Sequence, residues 1–187
     1  MIEIRIHGRG GQGAVVASKI LALSFFIEGY EVQSFPAFGV ERRGAPVCAF
    51  ARVDKEPIRL RSEIYKPDHI IILDYNLIDT VDVSDGLKPG GTALINAPKE
   101  FINTEKINAS KIGCVDAAEI AIKHRLGSAT SPIINTAIIG AFAGLTGLLK
   151  IESISEAIMQ ETPIKKEANV EAAKVAFEQI EIIKNNS

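Results

Sequence analysis

Ile2-Glu3-Ile4-Arg5-Ile6-His7, followed by Gly8-Arg9-Gly10-Gly11-Gln12-Gly13 and then Ala14-Val15-Val16, is the stretch that decides the fold. Ile2, Ile4 and Ile6 recur at period two, as in a strand with one buried face, whereas Val15, Val16, Ile20, Leu21 and Leu23 follow helical spacing. The order strand, glycine loop, helix gives the GxGxxG run its structural context. Glycines permit tight turning and close backbone approach, and a helix N-terminus presents unpaired amides and a positive dipole end. Two readings stand at this point: a cradle for a phosphate or carboxylate, or a tight turn whose glycines serve packing alone.

Outward from this loop the pattern repeats. Glu31 to Phe35 reads as extended and ends at Pro36, and Ala37 to Pro46, with Gly39, Gly44 and Glu41-Arg42-Arg43, reads as an ordered surface loop. Val47–Val53 and Ile58–Leu60 read as strands that form an antiparallel excursion. Ile70-Ile71-Ile72-Leu73, closed by Asp74, has the continuous apolar character of a parallel strand covered on both faces. After the turn Lys88-Pro89-Gly90-Gly91 come short strands at Thr92–Asn96 and Ile112–Val115. Asp116 is placed as N-cap of a helix through Leu126, and Ser131-Pro132 as the start of another that ends near Gly147. Two last helices, Ile151–Gln160 and Lys165–Lys184, are separated by Thr162-Pro163. The expectation is a single domain over 1–187 of α/β class: a three-layer, Rossmann-like open sheet, mostly parallel, with helices on both faces. Asp74 and Asn96 should lie on the same edge as the glycine loop.

With 187 residues, 47% hydrophobic, and 21 Lys+Arg against 23 Asp+Glu, the chain is sized for one soluble core. A net charge of -2 and 6% aromatic residues give no footprint for nucleic acid. The longest apolar stretch, Ile133 to Leu149, is broken by Asn135, Thr136, Gly140, Gly144, Thr146 and Gly147, so it reads as close helix packing and not as a membrane span. No secretory signal is legible, and a cytoplasmic location is expected. Cys48 and Cys114 are far apart, with no CxxC, so they cannot supply four thiolates to an iron–sulfur cluster and read as buried thiols. A nicotinamide site also needs an acidic residue roughly 20 positions beyond the loop, at the end of the second strand. Here that strand ends Ser34-Phe35-Pro36, and Glu28 and Glu31 come too early, which ranks a stand-alone dinucleotide-dependent oxidoreductase low.

Three ordered segments then carry a resemblance: His7-Gly8-Arg9-Gly10-Gly11-Gln12-Gly13, Phe35-Pro36-Ala37-Phe38-Gly39-Val40-Glu41-Arg42-Arg43-Gly44-Ala45-Pro46, and Pro57-Ile58-Arg59-Leu60-Arg61-Ser62. With Pro67-Asp68, Asp74 and Asn135-Thr136, this series resembles the gamma subunits of pyruvate:ferredoxin oxidoreductases, or pyruvate synthases, of the 2-oxoacid:ferredoxin oxidoreductase family. The Phe-Gly-Val-Glu-Arg-Arg-Gly segment looks like the pyruvate class; the 2-oxoglutarate and branched-chain enzymes usually carry a Tyr-Gly-Pro-Glu-type segment there.

The resemblance implies a subunit of a complex that oxidatively decarboxylates pyruvate with coenzyme A to acetyl-CoA and CO2 while reducing ferredoxin, or runs the reverse. It implies thiamine diphosphate, Mg and [4Fe–4S] clusters in the complex, none of them held by this chain, which lacks a Gly-Asp-Gly…Asn-Asn pattern and a cysteine framework. It implies alpha, beta and delta subunits as partners, no nucleic acid, no membrane, no catalytic residue on this chain, and a share in the coenzyme A-facing surface. The residues expected to face that coenzyme are Gly8, Arg9, Gly10, Gly11, Gln12, Gly13, Arg42, Arg43 and Asn135. For Arg42 and Arg43, with Arg59 and Arg61 nearby in sequence, ligand phosphates and partner carboxylates both suit an arginine fork, and an ordinary solvated face or internal salt bridges is the third reading. Asn135 and Thr136 read either as ligand contacts or as capping and close-packing residues. His7 reads as a structural hydrogen-bonding group, and Phe35, Phe38 and Phe50 as core or interface.

Overall fold

The alternating isoleucines of the N-terminus are realised as β1 (Ile2–Arg9) in the computed structural model, which describes residues 1–37 and 43–185. The chain continues through α1 (Ala14–Ile27), β2 (Glu31–Pro36), β3 (Pro46–Asp54), β4 (His69–Ile72) and β5 (Thr92–Asn96). Then come β6 (Lys111–Val115), α2 (Ala117–Lys123), a two-residue-strand hairpin of β7 (Gly127–Ser128) and β8 (Ser131–Pro132), α3 (Asn135–Thr146), α4 (Ile151–Glu161), α5 (Lys166–Gln179) and β9 (Glu181–Asn185). Short 3-10 turns occupy Tyr75–Asp79, Lys99–Phe101 and Thr104–Lys106.

Seven strands form one sheet in the order β2-β3-β1-β4-β5-β6-β9. The central strands β1, β4, β5 and β6 run parallel, with Ile4–His7 in register against His69–Ile72. The antiparallel excursion is present, but it is inserted: β3 pairs with β1 on one side and β2 on the other, placing β2 at the sheet edge. The second edge is β9, antiparallel to β6. The expected α/β class and parallel centre of the sheet therefore appear, but the expected helices on both faces do not, because the second face is closed by 3-10 turns and loops. The apolar residues of all five α-helices join one core against the sheet side carrying Ile4, Ile6, Ala49, Ala51, Ile71 and Leu94. The opposite side, with Ile70, Ile72, Ala93, Ile95 and Ile112, is covered by the 3-10 turns and loops through Leu77, Val83, Ile107 and Ala109.

Three boundaries differ from the pattern in the sequence. Ile58–Leu60 is not a strand: it follows Pro57, which donates no backbone hydrogen bond, and Ile58 is held by its carbonyl, which accepts from Gln33 Nε2 at 3.2 Å. Ser131-Pro132 does not start a helix. The positive φ of Gly127 folds 127–132 into the hairpin, and α3 begins at Asn135 with no side-chain cap. The last helix stops at Gln179, because Ile180-Glu181-Ile182-Ile183 is β-branched at alternate and consecutive positions and completes the open edge of β6. Asp116 does cap α2, its Oδ1 accepting from the Glu119 amide at 2.8 Å, and Gly147 closes α3 at φ 67°.

The small-residue stretch is the buried axis of the helical layer. A Cβ on Gly140 would collide with the Ala173 carbonyl oxygen, and one on Gly144 would lie 2.5 Å from that of Phe177, so α3 and α5 touch backbone to backbone. Thr136 Oγ1 donates to Asn169 Oδ1 at 2.9 Å across the same contact. Overpacking against backbone has no flexible end to yield, and costs up to about 3 kcal/mol. Gly140→Ala is therefore expected to lower the melting temperature by roughly 5–10 °C, checked by calorimetry or thermal circular dichroism; an unchanged melt would show that the helices separate freely.

Candidate functional site

The glycine loop leaves β1 at the carboxyl edge of the sheet, where the chain turns away toward β2 and β3 while β4 lies on the other side. Such a change of direction is where open α/β sheets leave a crevice for ligands. Gly11 and Gly13 adopt φ of 95° and 81°, values that glycine alone takes without cost. Gln12 turns back, its amide donating to the Arg9 carbonyl at 2.9 Å and its Oε1 accepting from the Arg9 amide at 2.7 Å.

The loop is closed over by its own chain. The Gly10 amide donates to the Ala45 carbonyl at 2.9 Å, the Gly44 amide donates to the Gly10 carbonyl at 3.1 Å, and Gly10 forms a parallel bridge with Arg43. Arg9 joins this clamp: Nε pairs with Asp74 Oδ2 at 2.6 Å, and Nη1 donates to the Gly44 carbonyl at 3.2 Å. Arg9 and Gln12 thus serve the loop itself, and the close backbone approach its glycines permit is taken by residues 43–45.

Two adjoining cavities, of about 240 and 180 Å³, open beside the loop and share Gln12, Leu73, Asn96 and Ala118 as lining. The larger reaches Asp74, Tyr75, Pro98 and Asp116, and the smaller reaches Gly11 and Thr130–Pro132 of the hairpin. Each alone is below the roughly 300–1,000 Å³ of a complete small-molecule site, but they share four lining residues, and a third cavity of about 470 Å³ adjoins the larger through Ala97, Pro98 and Asp116. Asp74 and Asn96 do share the edge of the loop. Asn96 Nδ2 donates to the Leu73 carbonyl at 2.9 Å and its Oδ1 accepts from the Ala117 amide at 3.0 Å, tying β4 to the start of α2. Burial raises the Asp74 carboxyl, but hydrogen bonds from Arg9 and Asn76 outweigh it and hold the group below its ordinary value.

Of the residues singled out in the sequence, Gly8, Arg9, Gly10, Gly11, Gln12 and Gly13 form this loop. Asn135, on the first turn of α3, packs onto it, and a Cβ on Gly13 would lie 3.1 Å from Asn135 Nδ2. Arg43 is exposed and reaches the loop through its backbone, and Arg42, Glu41 and Phe38 lie outside the described residues. Arg59 and Arg61 are exposed on the coil after β3. Tyr75, Asp116 and the hairpin were not singled out as lining. Their one signal is that a polar or turn residue follows each apolar strand.

The face poor in α-helix carries a buried polar chain. Arg5 Nε donates to His7 Nε2 at 3.0 Å, and Arg5 Nη2 donates to the carbonyls of Val83 at 3.2 Å and Asp85 at 2.6 Å. Because Nε2 accepts from Arg5, the neutral ring carries its proton on Nδ1, which lies 3.5 Å from Cys48 Sγ. Burial, reinforced by the Arg5 charge, lowers the His7 pKa to about 3. Cys48 is half-buried, against the expectation of full burial, and its thiol is raised by desolvation; Cys114 is buried and pushed up to about 11. Cys48 and Cys114 sit on β3 and β6, with β1, β4 and β5 between them, so they cannot meet at one cluster. Among the described residues no group of three or more His, Cys, Asp or Glu could hold a metal ion.

These features define a class: an α/β domain whose dinucleotide-like loop is sealed by its own chain and whose crevice opens beside that loop. The chain belongs to the pyruvate ferredoxin/flavodoxin oxidoreductase family, whose model matches residues 3–179. It is 52% identical over 182 residues to the pyruvate/ketoisovalerate oxidoreductases common subunit gamma of Thermococcus litoralis, covering 95% of this chain and 96% of that one. It is 48% identical over 187 residues to pyruvate synthase subunit PorC of Methanothermobacter thermautotrophicus, covering 100% and 99%. The crystal structure of the pyruvate oxidoreductase subunit PORC of Thermotoga maritima superposes with a TM-score of 0.80 at 32% identity, covering 98% of each chain.

Two outcomes follow. A buried neutral histidine must take up a proton on unfolding, so its contribution is complete above pH ~6.5 and is lost as pH falls toward the folded value, at up to about 1.4 kcal/mol per pH unit. His69, also lowered by burial, adds in the same direction. Urea unfolding measured at several pH values is expected to show this slope, and His7→Asn to remove its larger part. Titration of the chain with NAD is expected to give no saturable heat, because β3 stands between β1 and the strand whose end would hold the ribose.

Proposed function

We propose that this chain is the gamma subunit of a pyruvate synthase, a single-domain, cytoplasmic, non-catalytic component of a complex with alpha, beta and delta subunits. In that reading the complex converts pyruvate and coenzyme A to acetyl-CoA and CO2 and passes electrons to ferredoxin, or runs in reverse. Thiamine diphosphate, Mg and the [4Fe–4S] clusters belong to the other subunits, since this chain offers two separated thiols. The observation that carries the reading is full-length likeness to gamma-type subunits.

The coenzyme A-facing surface in this reading is the rim of the glycine loop. Gly8 to Gly13 set its backbone, Asn135 supports Gly13, and Arg43 supplies an exposed guanidinium beside it; Arg42 adjoins Arg43 in sequence. The start of α1 has no side-chain cap and no acidic residue in its first turn, so its positive end is available to an anion. The Thermococcus relative is named as common to pyruvate and ketoisovalerate enzymes. A subunit common to two substrates has no reason to select between them, in keeping with a chain that contributes structure and a shared co-substrate surface.

The experiment is anaerobic affinity purification of the tagged chain from its native host, with an assay of pyruvate- and coenzyme A-dependent viologen reduction. Thiamine- and iron–sulfur-bearing subunits are expected to co-purify with activity, and a lone, inactive chain would overturn the reading. In the purified complex, Arg43→Ala is expected to raise KM for coenzyme A about tenfold, or about 1.4 kcal/mol, with kcat unchanged. An unchanged KM would remove Arg43 from that surface.

A further inference from the structure

The coil between β3 and β4, residues 55–68, lines none of the three cavities beside the glycine loop. It carries the strand pattern read at Ile58–Leu60, which the free chain leaves without a strand partner. Ile58 and Glu63 are held by their carbonyls, which accept from Gln33 Nε2 and Arg52 Nη2, each at 3.2 Å. Between these two anchors, among the described residues, nothing donates to or accepts from the backbone of Arg59, Leu60, Arg61 or Ser62. All four residues are exposed.

The coil is nevertheless fixed in place. Arg52, which holds Glu63, is 1% exposed and pairs with Glu3 of β1 at 3.0 Å, so this anchor is part of the core. Ile64 is 2% exposed, and a Cβ on Gly86 would collide with the Tyr65 carbonyl oxygen. The Asp68 amide donates to the Glu3 carbonyl at 2.7 Å, and the Lys88 amide to the Pro67 carbonyl at 3.0 Å. A segment held at both ends, with a row of free amides and carbonyls between, is a template for a strand from another chain.

Charge identifies the occupant. Arg59, Arg61 and Lys66 are exposed, and among the described residues their side chains make no ion pair or hydrogen bond. Glu56 is the one exposed carboxylate of the coil, and it adjoins Lys55, so the free charge is cationic. Leu60, 46% exposed, and Tyr65, 69%, set apolar surface among these cations, and arginine and tyrosine are the residue types that anchor interfaces. Two positions apart, Arg59 and Arg61 share one side of a strand, where their forks suit carboxylates, and Leu60 takes the other. We infer that residues 59–62 pair, backbone to backbone, with an acidic, extended segment of another subunit of the oxidoreductase. This rests on the reading of the chain as one subunit of a complex, and deepens it by assigning a docking edge.

The test is amide hydrogen exchange, read by mass spectrometry on the peptide spanning 58–63, in the full chain alone and in the complex formed by co-expression with the other subunits. These amides are expected to exchange freely in the chain alone and at least about tenfold more slowly in the complex. The double variant Arg59→Glu/Arg61→Glu is expected to weaken assembly, titrated with tagged chain, by at least about tenfold and to flatten its dependence on salt. The melting of the free double variant is expected to match the wild type, since both side chains are exposed and unpaired. Unchanged exchange in the assembled complex, or wild-type affinity in the double variant, would overturn the inference while leaving the complex reading intact. Protection that appears in the chain alone as its concentration rises would overturn it in favour of a second copy. Protection that requires added coenzyme A would overturn it in favour of that ligand. Failure of the wild-type chain to assemble would overturn both.

Discussion

Two backbone hydrogen bonds, Gly10 amide to Ala45 carbonyl and Gly44 amide to Gly10 carbonyl, decide what the rest of the structure can do. They exist because β3 enters the sheet antiparallel beside β1, bringing Pro46 opposite Arg9 at the top of the ladder. In a nucleotide-binding domain the neighbour of the first strand runs parallel and delivers its carboxyl end, with an acidic residue, to the ribose. Here the neighbour delivers its amino end, and the segment before it lies across the glycines. The same sequence grammar is thus spent on fixing a loop, and Arg9, which would otherwise reach outward, is drawn onto Asp74 and the Gly44 carbonyl.

A second constraint follows from placing all the α-helices on one side. The other face must be covered by loops, which bury little apolar area per residue, and two arginines compensate. Arg52, 1% exposed, pairs with Glu3 at 3.0 Å, donates to the Glu63 carbonyl at 3.2 Å and stacks over Phe35, which with Phe50 forms the aromatic pair legible as core. Arg5 holds the 83–85 turn in the same way. Glu3 and Asp68 in turn receive Lys88, so β1 becomes the attachment line for the segments 63–68 and 83–88. Replacing one partner of such a buried pair leaves an uncompensated charge, which is why these loops behave as part of the core.

The parallel centre of the sheet was legible because its signals are local: the period of Ile2, Ile4 and Ile6, the run Ile70–Leu73, the cap at Asp116 and the stop at Gly147. What was not legible depends on partners remote in sequence. Lys165–Lys184 has no helix breaker near Gln179, and only the vacant edge of β6 converts Glu181–Asn185 into strand. Ser131-Pro132 has the grammar of a helix start, but Ile133 donates to the Leu126 carbonyl at 3.0 Å and closes a hairpin first. At the site, the strand–loop–helix context of the glycines was legible from spacing, whereas the bonds that draw Arg9 and Gln12 back onto the loop were not. A side chain beside a glycine loop reads as ligand-facing until the residues that occupy it, 35 positions later, are known.

The loop and an aliphatic groove beside α1, lined by Val16, Ile133 and Ile164, are consequences of one arrangement. Val16 sits in the first turn of α1, immediately beyond the clamped glycines, and Asn135 both supports Gly13 and lines the groove. The uncapped start of α1 therefore borders both a polar crevice, through Gly11 and Gln12, and an aliphatic groove, through Val16. Asn135 is the common element: a shift of its side chain reaches the Gly13 turn on one side and the groove wall on the other.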